Sequence, residues 1–197
     1  MHFEIFKYKK VKSTNDVAMN LIRTKKKEIG CVYAKYQTKG RGTHGKKWIS
    51  SEGNFFGTIF FKLDKKYPKF HEFSIINPVI ISSVIQHFCK KKYIALKWPN
   101  DILVNKKKIC GILQELITIN NIQFLVIGIG INILSNPNIK NVYEATNIFK
   151  ESKKKPSIDK INKLIIYSYK KFFSNLNSYS FSKFKKRAKL TKFDKLI

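Results

Sequence analysis

GRGTHGKKWISSEGNFFGTIFF, residues 40–61, decides the fold class, because its opening imitates two nucleotide-binding motifs and its continuation contradicts both. Gly40, Gly42 and Gly45 satisfy G-x-G-x-x-G, and Gly40 with Gly45-Lys46 nearly completes a P-loop, except that Lys47 stands where Ser or Thr would hold magnesium. Both motifs aim a helix N-terminus at phosphate. Here the run from Trp48 to Phe61 is aromatic and β-branched around a Gly53-Asn54 turn, which predicts a strand. A Rossmann or P-loop domain is thereby rejected. Glycines at this density still let backbone N–H groups approach an anion, with Arg41, Lys46 and Lys47 beside them.

Upstream, CVYAKYQ from Cys31 to Gln37 reads as a strand entering that loop. Ser13-Thr14-Asn15-Asp16 supplies cap residues to a helix on which Val17, Leu21 and Ile22 recur at helical spacing. Downstream, Phe73, Ile76, Ile80, Val84 and Phe88 predict a core-facing helix with Pro78 near its start. IALKW, DILV, ICGILQELI and FLVIGIGIN follow as strands, separated by turns at Asn105-Lys106-Lys107 and Asn120-Asn121. After the loop SKKKP, Ser157 caps a last long helix carrying Ile161, Leu164, Ile165, Phe172 and Leu176. This order predicts an α+β domain: one mixed or antiparallel sheet with helices on one side.

With 197 residues, 43% of them hydrophobic, the chain can bury one good core and is expected to form one domain. A formal charge of +28 invites a polyanionic partner, but only Arg23, Arg41 and Arg187 are arginine and the lysines are spread along the whole length. That pattern reads as a solvated basic surface reflecting compositional bias. Cys31, Cys89 and Cys110 are odd in number and widely spaced, and the four histidines lack ligand spacing, so neither a disulfide framework nor a zinc site is expected. No stretch reaches the length of a membrane span and the N-terminus lacks a signal-peptide core. A reduced, cytoplasmic chain is the expectation.

A second run, KWPNDILVNKKKICG from Lys97 to Gly111, concentrates chemistry at a corner. Pro99 fixes the chain direction after a strand, so Lys97, Asn100 and Asp101 converge, and Lys108 opens the next strand after a tight turn. Asn100 and Asp101 are also ordinary turn residues. Lys97, between Leu96 and Trp98, is costly unless it faces a polar site.

With these motifs in view, the chain resembles the biotin protein ligases of the biotin–acetyl-CoA-carboxylase ligase family. The resemblance runs in order through Ser13-Thr14-Asn15, Tyr36-Gln37, Gly40-Arg41-Gly42, Gly45, Trp48, Lys97-Trp98-Pro99-Asn100-Asp101, Lys108, Gly111-Ile112-Leu113 and Gly128-Ile129-Gly130-Ile131-Asn132. It implies a class II aminoacyl-tRNA synthetase-like catalytic domain over residues 1–190. The stretch 191–197 stands where many relatives continue into a small β-barrel cap, which is expected to be absent. No helix-turn-helix segment precedes Val11, so no DNA partner is expected. The resemblance also implies ATP, biotin and Mg2+ as ligands, and a biotin carboxyl carrier domain as protein substrate of a monomer or weak homodimer.

By the same resemblance, Lys97, Asp101, Lys108 and Arg41 are the catalytic candidates. Ser13, Thr14, Asn15, Gln37, Gly40, Arg41, Gly42, Lys108 and Gly111 would bind biotin. Arg41, Thr43, Trp48, Lys97, Asn100, Gly130 and Asn132 would bind ATP or the adenylate, Asn132 reading adenine. Asp101 would orient or deprotonate the acceptor lysine, or hold Mg2+. Thr43 departs from the pattern, since many relatives carry arginine there. The chemistry suits these residue types: a carboxylate attacking a phosphate joins two anions, and fixed cations lower that barrier. The nucleophile belongs to the substrate, so no Ser-His or Cys-His pair is needed. Competing readings are a lipoate–protein ligase or octanoyltransferase of the same fold, a non-catalytic biotin-binding protein, and a nucleic-acid-binding protein.

Overall fold

The computed structural model describes residues 2–137 and 144–190, so the expected tail 191–197 lies outside the described residues. One seven-stranded sheet organises the chain in the order β1-β2-β3-β7-β6-β5-β4. Its strands are β1 (Glu4–Val11), β2 (Ile29–Gln37), β3 (Phe55–Lys62), β4 (Ile94–Lys97), β5 (Asp101–Val104), β6 (Lys107–Ile119) and β7 (Ile122–Ile131). The helices are α1 (Thr14–Lys25), α2 (Phe73–Ile85), the short α3 (Ile148–Ser152), α4 (Ile158–Ser174) and α5 (Phe181–Leu190). Only β1 and β2 are parallel; every other neighbouring pair is antiparallel, so the predicted mixed sheet is present.

The parallel pair explains where α1 lies. Parallel neighbours need a crossover, and α1 supplies it between β1 and β2. Ser13 caps it, its side chain accepting from the Asp16 N–H at 3.4 Å, and Ala18, Leu21 and Ile22 pack on Val32, Phe60, Phe124 and Val126. The alternating neighbours Cys31, Tyr33, Ile59, Phe61, Leu125 and Ile127 join the opposite, larger core, with residues of α2 and α4. Helices on one side of the sheet were expected, and α1 corrects this: the sheet is covered on both faces. The prediction missed β1 because EIFKYKKV carries lysine on both faces of the strand and offers no apolar stripe.

The two predicted hairpin turns are present, with Asn105 and Lys106 at φ 50° and 65° and Asn120 and Asn121 at φ 48° and 61°. Asparagine tolerates the left-handed region that such turns demand. The predicted second helix ends at Ile85, short of Phe88, and Pro78 lies well inside it. Ser157 caps α4 as expected, accepting from the Lys160 N–H at 3.1 Å. The α2–α4 packing carries a buried polar string: Tyr169 Oη donates to Asn77 Oδ1 at 2.9 Å, and Asn77 Nδ2 donates to Gln114 Oε1 of β6 at 3.0 Å. Among the described residues no helix is long and apolar enough to cross a membrane.

Candidate functional site

The α1-covered face of the sheet changes character beyond α1. Directly paired positions of an antiparallel sheet share a face, so Gly111 with Gly130, Leu113 with Gly128, and Glu115 with Val126 lie along that front face. Where Val126 is apolar under α1, Gly128 and Gly130 leave the backbone bare. A cavity of about 560 Å³ opens over this strip. A Cβ on Gly130 would lie 2.4 Å from Trp48 Cε2, and one on Gly111 would lie 2.5 Å from Trp48 Cζ3, so the indole rests on two opposed glycines. A Cβ on Gly128 would meet Asn15 Oδ1 at 2.5 Å. Glycine at these positions makes room for a ring and an amide.

The 40–48 loop is a tight hairpin. Trp48 N donates to Gly40 O at 2.9 Å, Arg41 and Lys47 form a bridge, and Gly42 N donates to Lys46 O at 2.7 Å. At the tip, His44 (φ 54°) and Gly45 (φ 71°) turn the chain back in the left-handed region. No α-helix follows, which agrees with rejection of the P-loop and Rossmann readings. The N–H groups of Gly42, Lys46 and Trp48 serve the hairpin itself and are not available to an anion.

The second motif folds as predicted. β4 ends at Lys97, residues 98–100 turn, and β5 begins at Asp101, with Lys97 paired to Asp101 and Asp101 to Gly111. Lys108 Nζ reaches Asp101 Oδ1 at 2.7 Å, with side chains only 15% and 18% exposed, and lies 5.4 Å from the centre of the Trp48 ring. Lys108 stands at the start of β6, as expected, and its backbone is also clamped to residues 144–146 by bonds from Lys108 N to Glu144 O and from Thr146 N to Lys108 O. The two motifs meet where Asn100 Nδ2 donates to Thr43 Oγ1 at 3.2 Å. Burial pushes the neighbouring Cys110 thiol far up, so it is no nucleophile.

At the other end the groups that line the cavity are neutral amides and hydroxyls. Gln37 Oε1 accepts from Thr14 N at 2.8 Å and Thr14 Oγ1 at 3.1 Å, and Gln37 Nε2 donates to Ser50 Oγ at 3.2 Å. Thr58 Oγ1 donates to Asn15 Oδ1 at 2.6 Å. Gly111 and Leu113 are two residues apart on β6, so the cationic corner and this neutral end are separated by about 7 Å of strand.

The structure brings Ser13, Thr14, Asn15, Gln37, Arg41, Gly42, Thr43, Trp48, Lys97, Asn100, Asp101, Lys108, Gly111 and Gly130 to one cavity lining. Gly40 and Asn132 stand outside it. Gly40 is buried beneath the hairpin, and Asn132 Nδ2 donates to Thr146 O at 3.0 Å while its Oδ1 is buried without a partner. Arg41 was read as a fixed catalytic cation that also contacts biotin and the adenylate. Its guanidinium is instead held by Glu115 and Asp16, and the Glu115 hydrogen bonds raise its pKa further. Glu115, Asp16, Thr58 and Ser50 were missed, and so was the exposed Trp98 at the cavity edge. No cluster of three metal-ligating side chains occurs among the described residues, and Asp101 is the only carboxylate in the cavity lining.

Residues 8–132 match the model of the Biotin/lipoate A/B protein ligase family. The chain is 32% identical over 124 residues to the bifunctional ligase/repressor BirA of Escherichia coli (strain K12), covering 62% of this chain and 38% of that protein. It is 32% identical over 108 residues to the biotin--[acetyl-CoA-carboxylase] ligase of Paracoccus denitrificans, covering 54% of this chain and 45% of that protein. The chain thus spans less than half the length of these curated relatives. Among solved structures, the biotin protein ligase from Leishmania major in complex with biotinyl-5-AMP aligns with a TM-score of 0.83 at 26% identity, over 100% of this chain and 84% of that one.

Proposed function

Because the chain belongs to the Biotin/lipoate A/B protein ligase family, we propose that it activates biotin with ATP and transfers it to a lysine of a biotin carboxyl carrier domain. One observation carries this reading: a single cavity joins a neutral hydrogen-bonding end at Thr14, Asn15 and Gln37 to a cationic corner at Lys97 and Lys108, with the Trp48 indole between them. A urea-like ring with a carboxylate tail suits the first end, and a nucleotide phosphate the second.

In the first step a carboxylate oxygen of biotin attacks the α-phosphorus, the bond to the leaving oxygen breaks, and pyrophosphate departs. Lys97 and Lys108 oppose the charge that builds up, and the low exposure of Lys108 strengthens its effect. In the second step the acceptor amine attacks the acyl carbon, AMP leaves with the bridging oxygen, and the amine gives up a proton. Asp101, held by Lys108, would orient that amine. Mg2+ would screen the triphosphate. The chain offers Asp101 as a single carboxylate for it, which suits a metal carried in on the nucleotide. A cytoplasmic site belongs to the same proposal, consistent with three buried free thiols.

The test is purified protein with ATP, a carrier domain, and either biotin or lipoate, scored by the mass of the carrier. Biotin alone should add its acyl mass. Addition from lipoate alone would move the assignment to the lipoate branch.

Thr43 gives a second expected outcome. Its hydroxyl only accepts from Asn100, so it brings no cation to the intermediate. A partly buried arginine contact to an adenylate contributes on the order of 1.5–3 kcal/mol, so Thr43→Arg should slow release of pre-formed adenylate about ten-fold and reduce biotin on bystander proteins. Unchanged release and bystander labelling would show that Thr43 only shapes the hairpin tip.

A further inference from the structure

The sequence places three cations in the 40–48 hairpin that could face phosphate, yet one of them is already spoken for. Arg41 Nη1 lies 2.7 Å from Glu115 Oε1, and Nη2 lies 2.9 Å from Glu115 Oε2 and 2.9 Å from Asp16 Oδ1. A carboxylate matching the planar fork at two points is the strong form of an ion pair, unlike the single-point surface pairs that contribute little. The partners come from different elements: Asp16 sits in the first turn of α1 and Glu115 in β6. Glu115 is itself braced from behind, since Asn15 Nδ2 donates to its Oε2 at 2.6 Å and Asn15 Oδ1 accepts from Thr58.

Two carboxylates against one guanidinium leave a local excess of negative charge. That is the wrong sign for gripping a polyphosphate and the right arrangement for fastening a loop. The hairpin's other seats are the indole on Gly111 and Gly130 and the Thr43–Asn100 bond, both toward the cationic end. The Arg41 clamp is the fastening at the opposite end, beside Asn15.

We propose that Glu115 is a positioning residue that acts through Arg41: with Asp16 it latches the 40–48 hairpin over the cavity and sets how long a bound acyl-adenylate is retained. The identity of the retained ligand rests on the function proposed above; the latch does not.

The experiment compares wild type, Arg41→Ala, Glu115→Ala, Glu115→Gln and the Arg41→Ala/Glu115→Ala pair. Without ligand, trypsin cleavage after Lys46 and Lys47 reports opening of the hairpin, and melting temperature reports the fold. Each alanine variant should be cut about ten-fold faster, the double variant no faster than either single one, and Glu115→Gln, which keeps one acceptor, should fall between. With biotin and ATP loaded, release of the adenylate should accelerate in the same order and with the same lack of additivity. Should Glu115→Ala fold poorly, the Gln variant carries the comparison. Wild-type cleavage in the single variants, or multiplying effects in the double, overturns the latch. If the wild type forms no biotinyl adenylate, the proposed activity fails while the trypsin comparison still decides the latch.

Discussion

Replacing Lys108 with alanine should slow biotin-dependent ATP–pyrophosphate exchange by about 100-fold or more, the loss of roughly 3 kcal/mol expected when a preorganised charge-stabilising group is removed. The fold will not be indifferent to the change. Asp101 is left with its ion-pair partner gone and its side chain 18% exposed, which costs on the order of 1–3 kcal/mol. A fall in exchange therefore has to be separated from a fall in folded protein. The double variant Lys108→Met/Asp101→Asn removes both charges at nearly constant shape and should melt closer to wild type, yet remain inactive in exchange. Exchange within a few-fold of wild type in either variant would remove Lys108 from the chemistry. Restored stability together with restored exchange would assign the pair a structural role only.

The second large effect should come from Gly130→Val. Valine suits a strand, and β7 is paired on both sides, so the backbone should survive. Its Cβ, however, would fall 2.4 Å from Trp48 Cε2, well inside contact distance. The indole must leave its seat, and the hairpin that carries it must follow. Overpacking of this kind costs about 1–3 kcal/mol. If that strain acts on closure of the site, nucleotide affinity measured by calorimetry should fall by roughly ten- to 100-fold with little change in secondary structure. Affinity within two-fold of wild type would mean that the indole does not need the glycine floor.

How much of this was legible in the sequence follows from the range of each interaction. The 40–48 loop, the 97–101 corner and the two asparagine turns are local devices, written in consecutive residues, and each was readable. Glu115 was not. It lies 74 residues from Arg41, near the end of a strand whose burial alternates toward solvent, where a glutamate reads as ordinary surface. Thr58 was hidden in the same way, as one small polar residue in an aromatic strand whose role depends on α1 lying opposite. The placement of α1 on the front face needed β1, and β1 was concealed by its lysines. Arg41 shows the converse: its presence in the motif was plain, but only the fold reveals that its charge is already engaged.

The recognisable part of the chain and the part that folds have different limits. Likeness to the family model stops at residue 132, where the last motif ends. The back of the sheet is roofed from beyond that point: Ile161, Ile165, Tyr169 and Phe172 of α4 bury themselves on it, and α5 packs against α2. A gene trimmed to the conspicuous stretch would keep α2 on the back of the sheet but bare the apolar surface that α4 buries, a species prone to stick to itself. The residues gathered at the cavity thus lie in a few loops and strand ends, while the cover that keeps the back of the sheet from water is shared with helices far along the chain.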